Sequence, residues 1–489
     1  MASKKSTAST TKTATPKRKI LFVASEAAPF IATGGLAEVI GSLSKALVKT
    51  KKYDARVILP LYEDIKDEYR KKFKFVKNIV TPLSWRQQYC GIFEYKQDGV
   101  TYYFVDNEYY FKRKGCYGYF DDGERFAFFC ASVLEILPHI DFFPDVLHCH
   151  DWQAALAAIY LKTKYCHFDG YGNIKALFTI HNIEYQGWYS MGILGDVFGI
   201  ADEHKYLLEY HGQINLMKGA IECSERFSTV SPTYANEIKD PYFAHGLDKI
   251  VRRNEVKLVG ILNGIDPEYY DPSTDEALFA NYSAQDMTGK ATCKAELQKL
   301  LNLPVRADVP MVAMITRLVP HKGLDLVTAV IEELLQRDVQ FVVLGTGETY
   351  YEGFFKYLAA CHPSKVAAAI TFNADLSRKI YSGADAFLMP SKSEPCGLAQ
   401  MIASRYGTVA IVRETGGLVD SITPYGAGGN GFTFRNFNAH DMLFVVNEAL
   451  NLYRDKEAWS KLARKAATTD FTWKSSAKRY DELYADMLK

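Results

Sequence analysis

No stretch of this 489-residue chain is apolar over the ~20 residues that a membrane-crossing helix requires, so no membrane role is expected. Cysteine is sparse and unordered. The nine cysteines lie between Cys90 and Cys396 without paired spacing, and no secretory apolar segment precedes them. They read as reduced thiols in a cytoplasmic compartment rather than as a disulfide framework. The first apolar run is not followed by G-x-G-x-x-G, and Gly345-Thr346-Gly347 lacks a third glycine, which argues against a nicotinamide-dependent dehydrogenase. A dominant charge is missing too. Net charge is +1, yet Lys4, Lys5, Lys12, Lys17, Arg18 and Lys19 are all basic and no acid precedes residue 20, so the rest of the chain carries −5. That balance gives no support to a nucleic-acid partner. Residues 1–18 have almost no aliphatic side chains and are expected to be a disordered basic tail. The tail is short, poor in arginine and without amphipathic pattern, so organelle targeting is only a minor alternative.

What is present is the composition of a globular chain, 48% hydrophobic and 24% charged, with a length that calls for about two domains. Lys19–Ser25 is a short apolar run read as a buried parallel strand. Thr33-Gly34-Gly35-Leu36 follows, and then Val39, Leu43 and Leu47 at helical spacing. Strand, glycine turn and helix open a Rossmann-like unit. Strand-like runs recur at Ala55–Leu59, Thr101–Val105, Val146–His148 and Ala176–Ile180, with helical stretches at Glu124–Leu137 and Gln153–Leu161. The second half repeats the plan. Pro310–Thr316, Gln340–Leu344, Ala386–Pro390 and Val409–Val412 read as strands, and Thr415-Gly416-Gly417-Leu418 repeats the early tetrapeptide. The expected fold is therefore α/β, two doubly wound Rossmann-like domains with ligands in the cleft between them. The boundary is expected near Lys257–Gly260. Trp473, Ala477, Tyr480, Tyr484 and Met487 form one stripe of a terminal helix.

Several strand ends carry polar groups suited to chemistry. Glu394-Pro395-Cys396-Gly397-Leu398 sits where a strand ends and a helix is expected to begin near Gly397. Glycine there lets a ligand approach free backbone N–H groups, and the alternative is that Glu394 merely caps the helix. Arg317 and Lys322 lie five residues apart in a strand-to-helix loop and can converge on one diphosphate, the first as a planar fork and the second as a point charge. In His148-Cys149-His150-Asp151-Trp152-Gln153, a metal reading of the two histidines lacks a third ligand. Asp151 and Trp152 fit hydroxyl and ring contacts to a sugar. His181, in Thr179-Ile180-His181-Asn182, can hydrogen-bond a sugar hydroxyl while neutral, or be a satisfied core histidine. Asn263-Gly264 reads as a turn.

Taken in order, T-G-G-L, H-C-H-D-W-Q, T-I-H-N-I-E-Y-Q-G, T-V-S-P-T-Y-A, L-N-G-I-D, T-R-L-V-P-H-K-G-L-D, E-P-C-G-L and T-G-G-L resemble the glycogen and bacterial-type starch synthases, glycosyltransferase family 5, over Lys19–Lys489. The resemblance implies a GT-B arrangement: residues 19–258 as an acceptor-side domain, 259–470 as a nucleotide-sugar domain, and 471–489 as a helix returning to the first. It implies that Arg317 and Lys322 hold the donor diphosphate. Glu394 and the backbone of Cys396, Gly397 and Leu398 would meet ribose and sugar. His181, Asn263, Asp151 and Trp152 would line the glucose or acceptor pocket, with Phe372 near adenine. Gly34, Gly35, Glu38, Gln153, Asn182, Thr415 and Gly416 complete the implied binding set. The implied reaction is transfer of glucose from ADP-glucose, with UDP-glucose as the alternative, to the non-reducing end of glycogen or starch with retention and without metal. One departure stands out: Ala32-Thr33-Gly34-Gly35-Leu36 occupies the place of K-T-G-G-L or K-V-G-G-L. Loss of one charge-assisted hydrogen bond costs about 1.5–3 kcal/mol, which transfer could survive. Ala32 is the sole support for the rival reading, a glucan-binding relative without catalysis.

Overall fold

The computed structural model describes residues 16–489, so all but the last three residues of the expected tail lie outside the described residues. Two sheets, the first mostly parallel and the second wholly so, organise the chain. The first lobe uses β1 (Arg18–Val23), β2 (Tyr53–Pro60), β3 (Lys74–Leu83), β4 (Arg86–Gln97), β5 (Val100–Asp106), β6 (Val146–His150) and β7 (Lys175–Ile180). A small antiparallel sheet follows, from β8 (Trp188–Ser190), β9 (Glu209–Tyr210) and β10 (Gln213–Asn215), and then β11 (Arg226–Thr229) and β12 (Leu258–Gly260) complete the main sheet. Its order is β12-β11-β7-β6-β1-β2-β5-β4-β3, parallel apart from the edge hairpin β3–β4 and the β4–β5 pair. The second lobe has β13 (Met311–Ile315), β14 (Gln340–Leu344), β15 (Val366–Ala369), β16 (Ala386–Met389), β17 (Val409–Arg413) and β18 (Phe432–Phe434), all parallel in the order β15-β14-β13-β16-β17-β18.

The central strands are apolar on both faces because helices cover both, which is why β14, for example, is buried along its whole length. The helix Gly35–Lys49 buries Leu36, Val39, Ile40, Leu43 and Leu47, one stripe at the 3.6-residue period. Both expected Rossmann-like domains are present. β12 pairs with β11, so the first sheet runs to Gly260, the last residue of the Lys257–Gly260 stretch where the boundary is expected. The first strand begins at Arg18, one residue before the expected start. The hairpin β3–β4 was not read from sequence, because its outer face is solvated and its pattern mixes Lys, Gln and aromatics.

The terminal helix Trp473–Met487 packs on the first lobe. Tyr484 Oη lies 2.9 Å from His148 Nδ1, while Asp481 accepts hydrogen bonds from Tyr53 and, at 2.7 Å, from Lys52. Its apolar stripe is buried there. Among the described residues, no helix is long and apolar enough to cross a membrane.

Candidate active site

The carboxyl ends of both sheets face a cleft of about 930 Å³ between the lobes. β13 and β16 are neighbours, so the loops after them lie side by side. From the first loop come Arg317, His321 and Lys322; from the second, Lys392 and Glu394 to Leu398. Lys322 Nζ donates to Glu394 Oε2 at 2.7 Å, and Ser391 Oγ donates to the same oxygen at 2.9 Å. Glu394 is thus a buried ion-pair partner, and the capping alternative is not realised, since the helix begins only at Ala399. Arg317 makes no side-chain hydrogen bond or ion pair among the described residues and projects into the cleft. Burial, followed by the charges of Lys322 and Arg317, holds the His321 imidazole below its ordinary range.

Gly323 has φ +75°, and a Cβ there would lie 2.0 Å from Pro390 O. Only glycine lets the Lys322 loop close so tightly against the strand carrying Glu394. Gly397, φ +70°, serves the neighbouring turn. Burial pushes the Cys396 thiol up to about 12, so it is a neutral wall group rather than a nucleophile.

The facing wall belongs to the first lobe. Gly34 and Gly35 enter it at the start of the helix Gly35–Lys49, with open space where a Cβ on Gly34 would stand and Leu398 Cδ1 3.9 Å from the place of a Cβ on Gly35. Asp151 (φ +56°), Trp152 and Gln153 open the helix that follows β6. Asp151 Oδ1 accepts from His181 N at 2.7 Å, tying the ends of β6 and β7 together. Burial raises the Asp151 carboxyl to about 7, against the pull of the His181 and Asn182 N–H groups. Burial lowers His181 to about 3, so its imidazole is neutral throughout the physiological range. Asn182 and Asn263 also line the cleft, and Asn263 Oδ1 is buried without a partner.

Four expected residues stand elsewhere. Phe372 is 90% exposed and does not line the cleft, because it follows β15 at the outer edge of the second sheet. Glu38 lies one turn inside its helix, half-buried and off the cleft lining; burial and then Asp266 raise its carboxyl. Thr415 and Gly416 are taken up by the other lobe. Glu237 Oε1 accepts from Thr415 Oγ1 at 2.8 Å and from Gly416 N at 2.9 Å. A Cβ on Gly416 would sit 2.0 Å from Glu394 O, and one on Gly417 2.2 Å from Cys396 O. The second glycine pair therefore braces the Glu394–Leu398 turn from behind.

The sequence reading missed Glu26. It follows β1, is 4% exposed, and accepts hydrogen bonds from Thr33 N, from Thr33 Oγ1 at 2.8 Å and from Tyr117 Oη at 2.8 Å. It fixes the loop that carries Gly34 into the cleft. A carboxylate directly after the first buried strand was the available signal. The histidines set aside for want of a third ligand are paired within the protein. His148 Nε2 lies 2.6 Å from Thr179 Oγ1, and His150 Nδ1 lies 2.9 Å from His181 Nε2.

A family described as starch synthase catalytic domain matches residues 19–253, and one described as glycosyl transferases group 1 matches residues 302–466. The chain is 49% identical over 474 residues to a glycogen synthase of Alkaliphilus metalliredigens, covering 96% of this chain and 100% of that one. It is 48% identical over 476 residues to a glycogen synthase of Geobacillus thermodenitrificans, covering 96% of this chain and 98% of the relative. Its fold is similar to the catalytic domain of starch synthase IV from Arabidopsis thaliana, solved bound to ADP and acarbose, with a TM-score of 0.90 and 33% identity over 97% of this chain and 100% of that one.

Proposed function

The chain belongs to the glycogen/starch synthase family and is a glycosyltransferase of glycogen or starch synthesis; from that premise we propose that it transfers glucose from ADP-glucose to the non-reducing 4-hydroxyl of an α-1,4-glucan, with retention at the anomeric carbon. The observation that carries this reading is the convergence of Arg317, Lys322 and Glu394 on one wall of a cleft whose other wall presents Gly34, Asp151 and His181. The ADP in the related starch synthase structure supports adenine as the base, and the acarbose supports a glucan-like acceptor.

In this reading Arg317 and Lys322 meet the negative charge that builds on the departing diphosphate as the bond from glucose C1 to the phosphate oxygen breaks. The acceptor O4 forms the new bond to C1 on the same face, and its proton passes to the leaving phosphate oxygen. Glu394 orients Lys322 and faces the sugar side. His181, neutral, donates a hydrogen bond. The two side-chain cations supply the positive charge at the diphosphate, and no metal ion is assigned a role. Closure of the lobes keeps water from the donor. The nine cysteines, all free thiols, support a reducing compartment, and we place the enzyme in the cytoplasm.

The test is a donor panel of ADP-glucose and UDP-glucose with glycogen as acceptor, run on the unsubstituted chain and on Arg317→Ala and Lys322→Ala. ADP-glucose should be preferred, and each variant should lose about 10²-fold or more in turnover with its fold intact. Binding of glycogen with no transfer from either donor would favour a glucan-binding protein instead.

A further inference from the structure

Behind His181 stands a second histidine with no part in the proposed reaction. His150 ends β6 and is fully buried, its ring 4.0 Å from that of His148 and 5.8 Å from that of Phe22. Its Nδ1 lies 2.9 Å from His181 Nε2, while its own Nε2 is buried without a partner. Two imidazole nitrogens at that distance form a hydrogen bond only when one carries a proton and the other does not. Burial keeps both rings neutral, so each holds one proton and two arrangements remain. If His181 Nε2 were the donor, the proton of His150 would sit on Nε2, a buried N–H facing no acceptor. If His150 Nδ1 is the donor, the unpaired atom is a bare lone pair. Orphaned buried N–H groups are rarer and costlier than under-used acceptors. The second arrangement puts the His181 proton on Nδ1, which has no partner among the described residues and faces the cleft.

We propose that His150 is a positioning residue: its Nδ1–H locks His181 into the Nδ1–H tautomer, so that His181 offers the bound donor an N–H rather than a lone pair. Two anchors then fix His181 independently. Asp151 holds its backbone N–H at 2.7 Å, and His150 holds its ring. Both ring anchor and backbone anchor come from the end of β6, whose register with β7 places His150 opposite Thr179, two residues before His181. The donor faces an oxygen-rich ligand without giving up its proton, the behaviour required of a group that binds through the whole reaction.

This inference rests on the glucosyl-transfer reading, and its first test does not depend on turnover. In protein labelled with ¹⁵N at the histidine rings, long-range proton–nitrogen spectra report which nitrogen is protonated, with His181 assigned by its loss in His181→Gln. The expected result is a protonated Nδ1 and a bare Nε2 on His181. A protonated Nε2 there would overturn the proposal, whether or not the enzyme is active. The second test compares His150→Asn, whose amide nitrogen falls near the place of Nδ1, with His150→Gln, which reaches toward Nε2. The turnover of His150→Asn should exceed that of His150→Gln by about tenfold or more, the difference lying in kcat. Equal losses in two folded variants would show that His150 only fills space and would likewise overturn it.

Discussion

Lys322 Nζ rests 2.7 Å from Glu394 Oε2, although 72 residues separate them in the chain. Both side chains are mostly buried, at 17% and 9% exposure, so the pair is shielded from bulk water. A phosphate entering the cleft must share Lys322 with this carboxylate. Glu394→Gln keeps the shape and can still accept from Ser391, but removes the charge that orients Lys322. Its kcat, followed by ADP release, should fall about 10²-fold, with a smaller change in donor KM. A near-normal kcat would make Glu394 a structural partner only.

The lobes are tied by reciprocal contacts between two short helices, Pro232–Glu237 and Gly416–Ser421. Asp420 accepts from Thr233 N at 2.9 Å and Thr233 Oγ1 at 2.8 Å, while Glu237 accepts from Gly416 N. Asp420→Ala removes two charge-assisted bonds between the lobes, each about 1.5–3 kcal/mol. Small-angle scattering should show a larger mean radius, and hydrolysis of the donor should rise relative to transfer. An unchanged radius and product ratio would show that these bonds do not govern closure.

Gly323→Ala should act on both stability and turnover. Its φ of +75° and a Cβ only 2.0 Å from Pro390 O leave no room for a side chain without moving the loop. A loss of about 1–3 kcal/mol is expected from urea unfolding, with Lys322 displaced and kcat reduced. A variant of normal stability and rate would mean the loop yields freely.

The Asp151 carboxyl, raised by burial to about 7 from an ordinary 3.8, sets a pH dependence. Between those values the folded protein keeps a proton that the unfolded chain has released, so this group lowers stability as pH rises through the window. Asp151→Asn still accepts the His181 N–H and tolerates the left-handed backbone. Its stability relative to the parent should grow from pH 4 to pH 7, by at most about 4 kcal/mol and less where water in the cleft screens the charge. Parallel pH profiles would contradict the raised carboxyl.

Much of this was legible before folding. Short apolar runs broken by glycine turns mark buried parallel strands, and the ends of such strands are where charged loops gather. Arg317, Lys322, Glu394, Asp151 and His181 are legible that way, because each lies in the segment that follows a strand. Glu26, three residues after β1, carries the same signal. The outer hairpin β3–β4 was hidden by its solvated face.

The chain itself determined the two-sheet plan, since apolar periodicity is local and needs no distant partner to be read. It could not decide what two identical tetrapeptides do. Thr33–Leu36 opens onto the cleft with free space around Gly34, whereas Thr415–Leu418 is pressed against Glu394 and Cys396 and capped by Glu237 from the other lobe. Only tertiary structure separates those roles, because the difference lies in which residues, far off in sequence, come to occupy the space beside each glycine.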